Sequence, residues 1–284
     1  MFWLSTVAVI VVFLGVCSGQ APSSAGTGGS NDLLVFTERA MVHIDVTTGQ
    51  STSFPKPGFF GINAVDHDHV DNRLFIAAAY SIIFSCNMDG SNITYLRDWT
   101  ASPSPFTDTL AVASDARLVF FGGTGRQVVK MNVNGEHETV LVNRPNTVQG
   151  IAVDHSTRMV FWREQEIDSH LYKMGFDGGA VEIHKDLRFF RPQPRAMDLV
   201  NNRMFTVAYD GIYAIDLSHF DYTVINSRGT RRDPDFDIVY DPRRQRVFYT
   251  FGNLQRVRMM TPTGGQDATV GPDLGSGKKV LLVL

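Results

Sequence analysis

Apolar residues along this chain come in short runs, and the runs recur in a fixed order. Four segments, Ile62–Gly90, Leu110–Gly135, Ile151–Gly178 and Phe236–Gly264, share one plan, and a fifth, Ala196–Leu217, follows it without the final Gly. Each opens with a short apolar strand: NAVD at 63–66, LAVA at 110–113, IAVD at 151–154, AMD at 196–198 and IVYD at 238–241. After a polar turn, an Arg leads into an apolar-aromatic strand: RLFI at 73–76, RLVFF at 117–121, RMVFW at 158–162, RMFT at 203–206 and RVFYT at 246–250. A third strand closes on a turn: CNMDG at 86–90, MNVNG at 131–135, MGFDG at 174–178, IDLS at 215–218 and MTPTG at 260–264. Several units add a fourth, such as ITYL at 93–96, TVLV at 139–142 and TVIN at 223–226. Runs this short, rich in β-branched and aromatic residues and bounded by Gly, Asn and Asp, predict strands.

The second-strand aromatics set the period. Phe75, Phe120, Phe161, Phe205 and Phe248 are separated by 45, 41, 44 and 43 residues, and Val35 extends the series backward by 40. Four strands per 40–45 residues is one propeller blade, and the 252 residues from Leu33 onward make close to six at about 43 each. The expected fold is therefore all-β: a six-bladed propeller of four-stranded antiparallel blades over 33–284. The first unit is incomplete. LLVFTE at 33–38 matches a second strand and MVHIDV at 41–46 a third, but nothing ahead of them serves as the innermost strand. VLLVL at 280–284 does, so the C-terminal strand is expected to close the ring and remove the open edge that a seam would leave.

The unit GIAVDHSTRMVFWREQEIDSHLYKMGFDGG at 150–179 resembles the YWTD repeat, also called the LDL-receptor class B repeat. The tetrapeptide slot reads Phe161-Trp162-Arg163-Glu164 here and Phe248-Tyr249-Thr250-Phe251 in the last unit, and the Leu-Asp-Gly slot reads Met88-Asp89-Gly90 and Phe176-Asp177-Gly178. The resemblance implies a recognition platform for protein ligands.

Ahead of the repeats, VAVIVVFLGV at 7–16 is followed by the small residues Cys17, Ser18 and Gly19. The run is short for a bilayer span and fits a cleaved signal peptide over 1–19, with an uncleaved anchor as the alternative. Residues 20–32 (QAPSSAGTGGSND) read as a flexible lead-in. No second long apolar run follows, so the mature chain carries no membrane span and is expected to be secreted. Cleavage removes Cys17 and leaves Cys86 alone, which excludes an internal disulfide. Cys86 aligns with Met131, Met174, Ile215 and Met260 and so reads as a buried, inert thiol.

Charge narrows the function. With 26 Lys+Arg against 29 Asp+Glu the chain lacks the cationic excess that nucleic-acid binding needs. No G-x-S-x-G, H-E-x-x-H, P-loop or dinucleotide fingerprint occurs, no cofactor is implied, and no catalytic residue is assigned. Asp66-His67-Asp68-His69-Val70-Asp71 is the densest polar cluster; His67, His69 and Asp71 are weak metal-ligand candidates against the reading of a solvated turn. Asp66, Asp154, Asp198 and Asp241 end first strands, and Arg73, Arg158, Arg203 and Arg246 begin second strands. Repetition in four blades predicts a structural Asp–Arg pair in each hairpin rather than acid/base chemistry. Asn92-Ile93-Thr94 is a glycosylation sequon at Asn92, expected at a blade's outer edge.

The between-blade segments, 55–61, 97–108, 143–149, 188–195 and 227–235, hold nine Lys or Arg against four Asp, with six interleaved aromatics. In a propeller these segments gather at one face, and aromatic-plus-arginine is hot-spot chemistry. The candidate partner-binding residues are Phe59, Phe60, Trp99, Arg188, Phe189, Phe190, Arg191, Arg195, Arg228, Arg231 and Arg232. The opposing reading packs the aromatics under their own loops. The sequence thus favours a secreted binding module for an extracellular protein or acidic glycan. The alternatives are a lactonase-like hydrolase with a tunnel-mouth metal and a structural extracellular-matrix component.

Overall fold

In the computed structural model the alternation resolves into six four-stranded sheets, each antiparallel. The structure describes residues 32–58, 61–97, 107–165, 170–186, 196–208, 211–219, 221–227, 237–251, 254–275 and 280–283. The expected signal peptide and nearly all of the lead-in lie outside these. Blade one holds β1 (Asp32–Phe36), β2 (Ala40–Asp45) and β3 (Ser51–Pro55). Blade two holds β4 (Ile62–Asp68), β5 (Arg73–Ala78), β6 (Ile82–Asn87) and β7 (Thr94–Arg97). Blade three holds β8 (Thr107–Ala113), β9 (Leu118–Gly123), β10 (Gln127–Asn132) and β11 (Thr139–Asn143). Blade four holds β12 (Val148–Asp154), β13 (Met159–Glu164), β14 (His170–Gly175) and β15 (Gly178–Asp186). Blade five holds β16 (Met197–Asp198), β17 (Arg203–Ala208), β18 (Gly211–Asp216) and β19 (Tyr222–Asn226). Blade six holds β20 (Asp237–Asp241), β21 (Arg246–Thr250), β22 (Val257–Met260) and β23 (Ala268–Val270), and β24 (Val280–Val283) follows.

The C-terminal strand closes the ring as expected. β24 pairs antiparallel with β1, Leu34 opposite Leu282 and Val35 opposite Leu281. Both faces of each blade are buried, because a strand sends alternate side chains to opposite sides. In β1, Leu33 and Val35 pack against blade six, while Leu34 and Phe36 pack against blade two. Six apolar layers of this kind, one between each pair of neighbouring blades, complete the circle. Phe75, Phe120, Phe161, Phe205 and Phe248 each face the following blade. The register corrects the first member of that series: Leu34, not Val35, faces blade two, since Val35 sits one residue on and points the other way.

The turn after the third strand explains why Gly recurs there. Gly135 and Gly264 have φ of +86° and +87°, and a Cβ would stand 2.8 Å from the Leu96 carbonyl oxygen and 2.1 Å from that of Ile225. Each therefore supplies a left-handed turn and lets the preceding blade's outer strand approach. Cys86 is fully buried, paired across the sheet with Leu74. The equivalent pairs are Val119–Met131, Val160–Met174, Met204–Ile215 and Val247–Met260. Burial pushes the thiol's pKa up to about 12, so at neutral pH it stays protonated and inert.

Candidate functional site

The six innermost strands run the same way around a central channel, which gives the ring two unlike ends. One end carries the turns between first and second strands; the other receives the segments that link blades. At the hairpin end lies a cavity of about 380 Å³, lined by Asp66, His67, Ala111, Val112, Ile151, Ala152, Val153, His155, Val239, Tyr240, Pro242 and Leu282. Most of its lining residues are aliphatic, yet the surface they show it is more polar than apolar, and Asp66 is a brace. One carboxylate oxygen accepts from the Val112 amide of the next blade at 2.8 Å and the other from the His67 amide at 2.9 Å. Similar side-chain bonds recur between neighbouring innermost strands, a second of them between these same two. Asn63 donates to the Thr107 carbonyl at 3.0 Å, Thr109 accepts from the Ile151 amide at 2.7 Å, and Asp237 accepts from the Leu281 amide at 2.8 Å. Neighbouring first strands share no ladder, so these bonds satisfy backbone groups that face across the gap.

The structure separates the residues of the Asp66–Asp71 cluster. β4 extends through Asp68, so His67 belongs to the strand and only His69, Val70 and Asp71 to the turn. The His67 Nε2 lies 3.0 Å from Asn72 Oδ1, the His69 Nε2 lies 3.2 Å from Asp115 Oδ1, and Asp71 is bonded by Arg117. The three weak metal candidates therefore have three different partners. Among the described residues no group of three or more His, Cys, Asp or Glu is arranged to hold a metal. The Asp115 carboxylate reaches across three blades, its second oxygen 3.9 Å from His155 Nδ1.

The expected Asp–Arg pair in each hairpin forms in one blade as drawn: Arg203 Nε donates to Asp198 at 2.8 Å. Asp66 is not the hairpin residue; Asp68, opposite Arg73 and fully buried, is, and it pairs with Arg117 of the next blade at 2.8 Å. Arg73 instead bonds Ser85, Asn87 and the Asn92 carbonyl. Asp154 accepts from Ser156 and Thr157 within its own turn, and Arg158 turns to Asp177 at 3.7 Å. In blade six Asp241 takes Arg244 rather than Arg246. In blades three and four the arginine is offset by one residue, while blades two and six keep the register of blade five and still pair differently. Arg117 and Arg158 occupy the left-handed turn position, with φ of 56° and 54°, where blades two, five and six place Asn72, Asn202 and Gln245.

The eleven candidate partner-binding residues, Phe59, Phe60, Trp99, Arg188, Phe189, Phe190, Arg191, Arg195, Arg228, Arg231 and Arg232, all lie outside the described residues. Three other cations of the same segments, Lys56, Arg97 and Arg144, are described, and the two arginines are structural. Arg97 donates to Glu138 at 3.0 Å and lies over the Phe121 ring. Arg144 bonds Glu164, a fully buried carboxylate that also accepts from Trp162 Nε1 at 3.2 Å and Asn146 at 3.3 Å. The guanidinium of Arg144 stacks 4.6 Å from the Tyr172 centroid. This buried pair was missed as a site by sequence reasoning, although Glu164 standing two residues after a buried Trp was a usable signal. In blade six the matching aromatic, Tyr249, donates to Asp267 at 2.8 Å, and burial and that carboxylate push its hydroxyl pKa up to about 12. Asn92 is exposed in the turn before β7, with φ of 52°, and so are Ile93 and Thr94. That turn lies at the hairpin end.

The ring, its closure and its differently furnished ends define a six-bladed β-propeller. No family model matches the chain, and no curated protein matches it. Solved structures share the fold. A chain from a nidogen–laminin complex superposes with a TM-score of 0.74 at 13% identity, over 89% of this chain and 98% of that one. TolB from Acinetobacter baumannii matches at 0.66 and 10% identity, over 89% and 67%. A gluconolactonase from Xanthomonas campestris matches at 0.58 and 13% identity, over 77% and 78%. Likeness at these identities establishes architecture, and the same architecture serves both a protein complex and an enzyme. Among the described residues no helix is long and apolar enough to cross a membrane.

Proposed function

We propose that this chain is a secreted, YWTD-like propeller that acts as an extracellular binding module, using the inter-blade segments to hold a protein or an anionic glycan. The observation that carries the reading is the composition of those segments: nine cations against four acids, with six aromatics interleaved, on a chain whose overall charge is −3. Arg188, Arg191 and Arg195 with Phe189 and Phe190, and Arg228, Arg231 and Arg232 in the following segment, form the densest set. Pro192 and Pro194 lower the ordering cost of the first segment on binding. The cavity at the opposite end supports binding over hydrolysis, because its carboxylate, Asp66, is committed to backbone amides. The reading includes an N-glycan on Asn92, which at the hairpin end would leave the inter-blade end open.

The test reverses Arg191 and Arg231 to Glu and compares retention on heparin and on immobilised polyglutamate with wild type, beside a melting curve. Weaker retention with an unchanged melting temperature is the expected result. Equal retention on both resins removes the assignment, and a large fall in melting temperature makes these arginines structural. Metal analysis of the secreted protein reads the rival: a stoichiometric, tightly held ion favours the hydrolase.

A further inference from the structure

Blades two, three and six share a left-handed residue in the turn between third and fourth strands: Asn92, His137 and Gln266, with φ of 52°, 56° and 56°. The residue three positions on is Tyr95 in blade two, Val140 in blade three and Thr269 in blade six. Tyr95 pairs with Phe84 and Val140 with Val129, so each lies on the side that faces the preceding blade. Of these three blades, only blade two joins an aromatic residue at this position to a glycosylation sequon, Asn92-Ile93-Thr94.

Several bonds hold the turn that carries Asn92. The Asn87 amide donates to the Ser91 carbonyl at 2.8 Å, and the Gly90 amide to the Asn87 carbonyl at 2.9 Å. Asp89 accepts from the Ser91 amide at 2.9 Å, and Arg73 Nη2 donates to the Asn92 carbonyl at 3.0 Å. The side chain of Asn92 itself is in an exposed residue. A group attached to it leaves from a held root and so loses less freedom on lying against the protein. Tyr95 is 55% exposed, and Ile93, inside the sequon, is 37% exposed. The Tyr95 ring is tilted by 54° against the buried Phe84, with centroids 6.0 Å apart. Phe84 thus supports one part of the ring, and the rest meets water. Even fully extended, three residues of chain put Tyr95 no more than about 11 Å from Asn92.

We infer that the first sugars of the Asn92 glycan pack on Tyr95, which makes the carbohydrate an ordered part of the outer wall of blade two. The presence of the glycan rests on the extracellular reading; its place against Tyr95 does not. An N-acetylglucosamine ring turns axial C–H bonds to one face, and that apolar face complements the negative face of an aromatic ring. Its hydroxyls stay in water, so the contact covers apolar surface without burying a polar group. The covalent tether favours this occupant over a free ligand, because it gives the sugar a high effective concentration beside Tyr95. A contact too weak to hold a free sugar is then enough.

The experiment uses the whole chain, secreted from a host that adds high-mannose N-glycans. Peptide mass establishes the sugar on Asn92. An endoglycosidase then trims it to one N-acetylglucosamine, and a peptide N-glycosidase removes it entirely. In the trimmed, isotope-labelled protein, the axial sugar protons should be shifted upfield by the Tyr95 ring current. Tyr95→Phe should keep that shift and Tyr95→Thr should abolish it; both residues suit a strand, so both variants should fold. Complete removal of the sugar should lower the melting temperature by about 2 °C in wild type and leave that of Tyr95→Thr unchanged. Removal converts Asn92 to Asp in both proteins alike, so the difference between them reads the ring. Unshifted sugar protons on an occupied Asn92, or an equal fall in both proteins, overturns the inference alone. An unmodified Asn92, whether or not the chain is exported, overturns it together with the glycan of the functional reading. Heparin retention of Arg191→Glu/Arg231→Glu reads only the inter-blade end, so the two fail separately.

Discussion

The layers between blades and the turns at the hairpin end answer differently to the same repeat. In the layers every blade does one thing: a third-strand residue such as Cys86, Met131 or Met174 meets an aliphatic or Met neighbour across the sheet and is fully buried. At the turns, similar sequence letters form a different set of bonds in each blade. Asp68 pairs with the next blade, Asp198 with its own hairpin, Asp241 with an arginine two residues early, and Asp154 with the hydroxyls and amides of its own turn. Apolar packing asks only for size and side, so it tolerates a residue that slides or changes type. An ion pair asks for direction and reach, and one residue of offset sends a guanidinium elsewhere.

The sharpest break of that comparison is at the seam. Deleting 280–284 removes Leu281 from the layer between blades six and one and Leu282 from the layer between one and two, and leaves β1 without its inner partner. The expected loss exceeds about 5 kcal/mol, read as failure to fold or a large fall in denaturation midpoint. An unchanged midpoint would mean that the layers do not depend on closure.

Next in size is Arg144→Ala, which strands the buried Glu164 and should cost about 3–5 kcal/mol. Adding Glu164→Gln should restore part of it, whereas Arg158→Ala, at a half-exposed pair 3.7 Å long, should cost less than about 0.5 kcal/mol. Equal costs for the two arginines would erase the distinction between buried and rim pairs.

The smallest effect is pH-dependent. Burial raises the Asp198 pKa, but bonds from Asn201 and Arg203 outweigh it and hold the carboxyl below its ordinary value. A carboxylate depressed on folding contributes stability that is full above its unfolded value of about 3.9 and disappears as pH falls through the folded value. Asp198→Asn should therefore lose about 1–3 kcal/mol at pH 7, with the gap to wild type closing below about pH 4. A gap that stays constant across urea melts from pH 7 to pH 2 would show that the pair, as charged groups, adds nothing.

The sequence by itself determined the architecture: blade number, strand order, the closing strand and the burial of Cys86. These follow from two quantities that sequence carries locally, the two-residue side-chain period and the spacing of turns. The Gly of the third-strand turn was legible as punctuation, and the close approach of the neighbouring outer strand that makes it necessary was not. Only the tertiary structure decided that Asp66 braces two blades, that Asp68 rather than Asp66 is the hairpin residue, and that Arg144 is tied to Glu164. Those outcomes join residues 20 to 49 positions apart. A hydrogen bond or ion pair is won by whichever partner arrives within about 3 Å at the right angle, and which one arrives is set by how the blades sit against each other.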